Sequence, residues 1–259
     1  MKLWLGIWVG FLLSNSLMAM SFQPDLYTEQ AFLGRESVVQ QSTRLRVYEN
    51  SGSGAHPYGL FGSELMMSGL TDNPLDPGGS YAYGGAGFRF FRGPFNWFNE
   101  VRGRAFYKSA PNVKNTQELI DIRSLIVLNH FLEVPLAESS DLRFIFEPYL
   151  EMLYTSADFN NVIGSGYVRT GLRYHIDKGV ALDLLAEPFA TFDRVRHFFN
   201  NRTELKPTVR FQVNGPGLSG SLLVSYLWNS YFDRGDFEVN PYKNRNQGMR
   251  VLAVFGAIF

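Results

Sequence analysis

Arginine recurs on alternate residues through much of this chain. Arg44 and Arg46, Arg102 and Arg104, and Arg169 and Arg173 each share a parity, and Arg89, Arg123, Arg143, Lys206, Arg210 and Arg250 take the same side of their own segments. Acids accompany them on that side: Glu64, Glu100, Asp121, Glu147, Glu151, Asp183, Glu187 and Glu204. A guanidinium is a rigid fork that grips carboxylates with two bonds. Gathered on one face, these groups could bind and relay an anionic or sugar-like solute, with Tyr58, Tyr81, Tyr83, Tyr149 and Tyr167 beside them. They could equally neutralise each other in place. Twelve cations against eight acids leave both readings open.

Catalytic patterns are scarce. The four histidines are His56, His130, His175 and His197, and none is followed two residues later by serine. No GxSxG, HExxH or phosphate-loop pattern occurs. Asp193 and His197 stand four residues apart in a charged loop with Arg194 and Arg196, where a histidine is ordinarily just solvated. The absence of cysteine excludes disulfides, thiolate zinc sites, a cysteine nucleophile and a lipidated cysteine anchor. No cofactor and no metal site is expected.

The elements that carry these side chains follow period two. Leu142, Phe144, Phe146, Leu150 and Met152 form an apolar set, with Arg143, Glu147 and Glu151 on the other side. Leu205, Val209, Phe211 and Val213 oppose Glu204, Lys206, Thr208, Arg210 and Gln212. Such alternation marks strands with one apolar face. Twelve segments show it: 25–35, 42–50, 58–67, 81–91, 97–108, 117–132, 141–154, 166–176, 180–190, 203–213, 218–229 and 247–259. Most are near 11 residues, the length of a tilted membrane strand at about 9–11 residues, against about 5–6 for a soluble one. Connections alternate between long and short. Arg92-Gly93-Pro94, Asp177-Lys178-Gly179 and Asn214-Gly215-Pro216-Gly217 supply turn chemistry on the short side. Phe146-Glu147-Pro148-Tyr149 and Ala186-Glu187-Pro188-Phe189 repeat one text in two strands, and each proline is expected to mark a bulge or bend.

Composition agrees. Basic and acidic residues number 24 each, which argues against nucleic-acid binding. Aromatics reach 15% and charged residues only 19%. Residues 1–21 open with Lys2, run apolar from Leu3 to Leu13 and end in small residues around Ala19 and Ser21, the layout of a secretory signal peptide. Residues 22–259 then form one domain.

The terminal strand Val251-Leu252-Ala253-Val254-Phe255-Gly256-Ala257-Ile258-Phe259 ends in Phe and alternates. It resembles the assembly signal of bacterial outer-membrane β-barrel proteins, with Phe255 and Phe259 as the signal residues. Ala257, Leu252 and Val254 depart from that pattern. The resemblance implies an all-β, transmembrane, antiparallel up-and-down barrel of about twelve strands, with ten and fourteen as the bounds. It implies an outer-membrane location reached by signal-peptide-dependent secretion, and contact with membrane lipid, lipopolysaccharide and the barrel-assembly machinery. Trp97 and Phe98 at one end of the strands, and Tyr226 and Trp228 at the other, would form the interfacial girdles.

In such a barrel the charged set lines the lumen. Arg44, Arg46, Arg102, Arg104, Arg123, Arg143, Glu147, Arg169, Arg173, Glu187, Arg210 and Arg250 become the candidate solute-binding residues. Tyr231, Phe232, Asp233, Arg234 and Asp236 become a candidate gating loop. The leading expectation is a porin-like channel or export conduit for a small or linear hydrophilic solute, including anionic saccharide, working with periplasmic partner proteins. The alternative is a non-conducting structural or adhesive barrel that binds a partner through its outer loops. A rim enzyme is the third reading. Twelve-stranded outer-membrane phospholipases carry a serine close after a histidine, a pattern missing here.

Overall fold

The computed structural model describes residues 22–33, 38–49, 54–68, 80–107, 119–138, 140–157, 160–194, 201–231 and 247–258. The strands are β1 (Phe22–Leu33), β2 (Val38–Glu49), β3 (Ala55–Ser68), β4 (Tyr81–Arg92), β5 (Phe95–Phe106), β6 (Ile120–Asn129), β7 (Leu132–Pro135), β8 (Leu142–Thr155), β9 (Asn161–Asp177), β10 (Val180–Asp193), β11 (Arg202–Gly215), β12 (Leu218–Tyr231) and β13 (Gln247–Ile258). Chain neighbours pair antiparallel except β6 with β7, and β1 pairs with β13, Asp25 opposite Ile258, which closes the sheet.

Thirteen strands make twelve staves. β6 and β7 both pair with β8 in one continuous register, Asn129 opposite Tyr149 and Leu132 opposite Phe146. They are one stave interrupted at His130 and Phe131. The cause is Pro148, which accepts from the His130 N–H at 3.1 Å but has no N–H to return. Of the bulge or bend expected at Pro148 and Pro188, neither site shows the bulge. Pairing lapses beside each on one side, and register continues through both. The register shift of this sheet falls at Val180/Ala181, beside Gly179 at φ 80°. A glycine there takes the left-handed conformation that such a turn-plus-bulge needs.

The short connections all fall at one end of the barrel, with the tight turns at Gly93-Pro94, Lys178-Gly179 and Pro216-Gly217. Both ends of the described chain lie there too, since β1 starts and β13 finishes on that side. Several strand limits differ from the alternation estimate. The sixth stave runs to Pro135 rather than stopping near 132, and β9 begins at Asn161 rather than 166.

Burial is inverted relative to a soluble protein. Along β10 the pattern alternates strictly: Asp183 is 0% exposed and Glu187 4%, while Leu184 is 56% and Phe192 60%. Val101, Leu150, Phe211, Leu222 and Tyr226 are likewise exposed on other strands. A continuous apolar exterior of this extent needs a nonaqueous neighbour, and closure leaves the wall no unpaired edge across the span. Trp97, Tyr226 and Trp228 are on the exterior. Phe98 is not. It shares the inward parity of Glu100 and packs against Tyr58 and Arg46, so it leaves the proposed girdle.

Candidate functional site

Register fixes the inward set. Arg46 on β2 reaches Glu100 on β5 at 2.6 Å, and Arg210 on β11 reaches Glu147 on β8 at 2.7 Å. Contacts between staves three apart can form only through the barrel interior. From these anchors, period two assigns every strand its inner residues. All twelve candidate solute-binding residues take inward positions: Arg44 and Arg46 on β2, Arg102 and Arg104 on β5, Arg123 on β6, Arg143 and Glu147 on β8, Arg169 and Arg173 on β9, Glu187 on β10, Arg210 on β11 and Arg250 on β13.

The inner wall has two unlike halves. On β2–β5 it is aromatic: Tyr48, Tyr58, Leu60, Tyr81 and Tyr83 are buried together, with Phe98 and Phe106 against them. Guanidinium groups cap these rings, Arg46 over Phe98 at 4.5 Å, Arg102 over Tyr83 at 4.5 Å and Arg104 over Tyr81 at 5.2 Å. Such contacts hold a cation in place without neutralising it. Glu100 is this half's anchor, bonded to Arg46, Arg102 and the Tyr58 hydroxyl, the last at 2.7 Å. Asp121 pairs with Arg123 and accepts from Thr155 at 2.8 Å.

On β7–β11 the wall is an ion-pair lattice. Arg173 spans Asp183 at 2.8 Å, Glu133 at 2.9 Å and Gln212 at 2.7 Å. Arg210 joins Asp183 at 2.6 Å to Glu147. Arg169 and Lys206 share Glu187, and Lys206 also meets Glu204 at 3.4 Å. Removing a carboxylate from water without partners would be costly, and Glu151, which meets no cation at ion-pair distance among the described residues, accepts from the Tyr149 and Ser165 hydroxyls at 2.5 and 2.7 Å.

Several interior residues escaped the alternation reading. Glu133 falls in the connection between segments 117–132 and 141–154, yet it sits on β7 and binds Arg143 at 3.3 Å, Arg173 at 2.9 Å and His175 at 2.7 Å. Its parity with Asn129 and Phe131 was the available signal. Glu29 on β1 meets Arg250 at 3.7 Å, and Arg202 pairs with Glu204. With Glu29, Glu133 and Arg202 added, thirteen interior cations face ten acids, and Asp25 and Asp193 extend the acid parity toward the two ends. The excess of four thus narrows. Arg44, over the Tyr27 ring at 5.0 Å, and Arg89, bonded to Asn96 at 3.1 Å, meet no carboxylate at ion-pair distance among the described residues.

Of the gating candidates, Tyr231 ends β12 on the inward parity, opposite Arg202. Phe232, Asp233, Arg234 and Asp236 lie outside the described residues, as do His197, Phe259 and residues 1–21. Phe255 is on the exterior of β13. Asp193 accepts from Asn161 at 3.1 Å and Asn201 at 2.9 Å, a buried pin at the foot of the 195–200 connection. Among the described residues no cluster of three or more His, Asp or Glu could hold a metal ion.

A closed twelve-stave antiparallel barrel, apolar outside and charged inside, defines the class: a transmembrane β-barrel of the bacterial outer-membrane kind. No family model and no curated protein matches the chain. Solved structures similar to it include a bacterial polysaccharide outer membrane secretin (10% identity, 92% of this chain and 98% of that one, TM-score 0.47). An outer membrane channel from Pseudomonas putida F1 is similar at 9% identity over 93% and 96%, TM-score 0.42. The translocator domain of the autotransporter NalP from Neisseria meningitidis is similar at 13% over 95% and 92%, TM-score 0.39. At these identities and scores the likeness assigns no cargo and no partner.

Proposed function

We propose that this protein is an outer-membrane channel or export conduit for a small or linear hydrophilic solute, with acidic saccharide as the class its wall suits. One observation carries the reading. Among the described residues every interior ion pair stays within an arc of three strand intervals, β2 to β5 or β8 to β11 at the widest. None joins the β2–β6 half to the β8–β11 half, so no ion pair bridges the axis. Arg44 and Arg89 stand without carboxylate partners beside tyrosine rings along one side of that axis, while Glu64 and Glu151 are held by neutral hydroxyls. The chain reaches its membrane by signal-peptide-dependent export and by the barrel-assembly machinery acting on its last strand, and periplasmic partners deliver or receive the cargo.

Liposome swelling tests the reading. Vesicles carrying the refolded barrel should swell in small neutral and acidic sugars, faster than empty vesicles, with a size cut-off. Swelling at the empty-vesicle rate would overturn it.

A second reading, a non-conducting barrel that binds partners through its outer loops, draws on the density of the β7–β11 lattice, where Arg173 alone holds three partners. It predicts no swelling by a correctly folded barrel. Asp193 is already engaged by two asparagines, and the proposal gives the protein no enzymatic role.

A further inference from the structure

Beneath the β4–β5 turn, at the short-connection end of the barrel, lies a cavity of about 480 Å³ lined by Gly93, Pro94, Asn129, Phe131, Glu147 and Tyr149, among others. Its size falls within the range of about 300–1,000 Å³ typical of small-molecule sites. It exists because β7 runs on past the turn, while Pro148 parts β6 from β7 at His130 and Phe131.

The cavity has a built platform. Tyr149 and Tyr167 stack in parallel, 4.8 Å apart at 7°, and the Arg169 guanidinium lies over Tyr167 at 4.3 Å. Tyr167 therefore meets two flat groups, the Tyr149 ring and the Arg169 guanidinium. Tyr149 has one covered. Its second face has no ring or guanidinium partner among the described residues, and on that side its cross-strand neighbour is Asn129. A half-buried ring stacked on one side, with no ring or guanidinium over its other face and an amide beside it, suits the C–H face of a pyranose whose hydroxyls turn outward.

Charge selects among sugars. Glu147, the cavity's carboxylate, has both oxygens held by Arg210 at 2.7 and 3.0 Å. Arg89 has no such partner. It donates to Asn96 Oδ1 at 3.1 Å, and Asn96 in turn reaches Asn129 at 3.5 Å, so an uncompensated cation stands one amide away from the cavity. We infer that this cavity is the entry subsite for an acidic saccharide, with a sugar ring laid on Tyr149 and its carboxylate drawn toward Arg89. The inference rests on the conduit reading and deepens it by placing the first binding site at the end where periplasmic cargo would arrive.

The test is isothermal titration of the full mature barrel, refolded in detergent, with trigalacturonic acid and with maltotriose as the uncharged comparison. Trigalacturonic acid should bind saturably and more tightly than maltotriose. Tyr149→Ala should weaken it by about tenfold, Tyr149→Phe should bind like the wild type, and Arg89→Gln should abolish the preference for the acidic trimer. Heat-modifiable migration certifies each variant as folded. No saturable binding, equal binding of both trimers, or unchanged affinity in folded Tyr149→Ala would each overturn the subsite. Because titration needs no transmembrane flux, a barrel that binds but does not conduct keeps the subsite and sinks the conduit. A conducting barrel that binds neither trimer does the reverse.

Discussion

Arg210 on β11 donates to both carboxylate oxygens of Glu147 on β8, at 2.7 and 3.0 Å, across two intervening staves. The same guanidinium donates from Nε to Asp183 at 2.6 Å. One side chain thereby ties three strands on the inside of the wall, where backbone bonds tie only neighbours. Glu147→Gln removes the charge and keeps the shape. Arg210 retains Asp183 and Arg169 retains Glu187, so the loss should be that of a charged hydrogen bond, about 1.5–3 kcal/mol. Urea unfolding of the barrel in vesicles, followed by tryptophan fluorescence, should show it, and anion preference should rise because the wall gains net positive charge.

The exterior gives the opposite response to charge. Val209, Val224 and Val251 lie side by side on β11, β12 and β13, facing outward. Placing arginine at the centre of that row, Val224→Arg, should cost about 2–4 kcal/mol if the row lies at the bilayer midplane. The urea-driven folding equilibrium in vesicles measures this, and a cost near zero would place the row in water.

The gap in the sixth stave traces to one atom. Pro148→Val would supply an N–H facing the His130 carbonyl and complete the ladder. The new bond is worth about 0.5–1.5 kcal/mol, while the lost proline restraint on the unfolded chain costs about 0.4–1 kcal/mol. Global stability should scarcely move. Amide exchange around His130 and Phe131 should slow, and that local protection is the readout.

Gly62 lies directly opposite Tyr83, whose ring covers it. A Cβ there would sit 2.5 Å from the Thr43 carbonyl and against the Tyr83 ring. Gly62→Ala should therefore push the ring aside, disturb the Arg102 cap and destabilise the barrel by about 1–3 kcal/mol, the usual penalty of overpacking. Thermal loss of heat-modifiable migration at a lower temperature checks it.

Alternation made the inward parity legible because it is a local property: Arg102 and Glu100 differ by two residues, and so share a face wherever the strand goes. The partners across the wall were not legible. Arg46 finds Glu100, and Arg210 finds Glu147, through closure and stagger of the whole barrel, which no short segment encodes. Glu133 lies just past the 117–132 segment, although Leu132, Val134 and Leu136 carry the apolar alternation onward. Phe98 looked like a girdle residue because it adjoins Trp97, and parity alone separates the two. The prolines make no bulge because a missing donor opens a gap without adding a residue, and only an added residue shifts register.

The proposed conduit requires the axis of this barrel to be open between its aromatic half and its ion-paired half. Single-channel conductance of the refolded mature protein in a planar bilayer, under a salt gradient, addresses it most directly. The expected result is discrete steps with anion preference, weakened by Arg89→Gln. A correctly folded, heat-modifiable barrel that passes no current would contradict it.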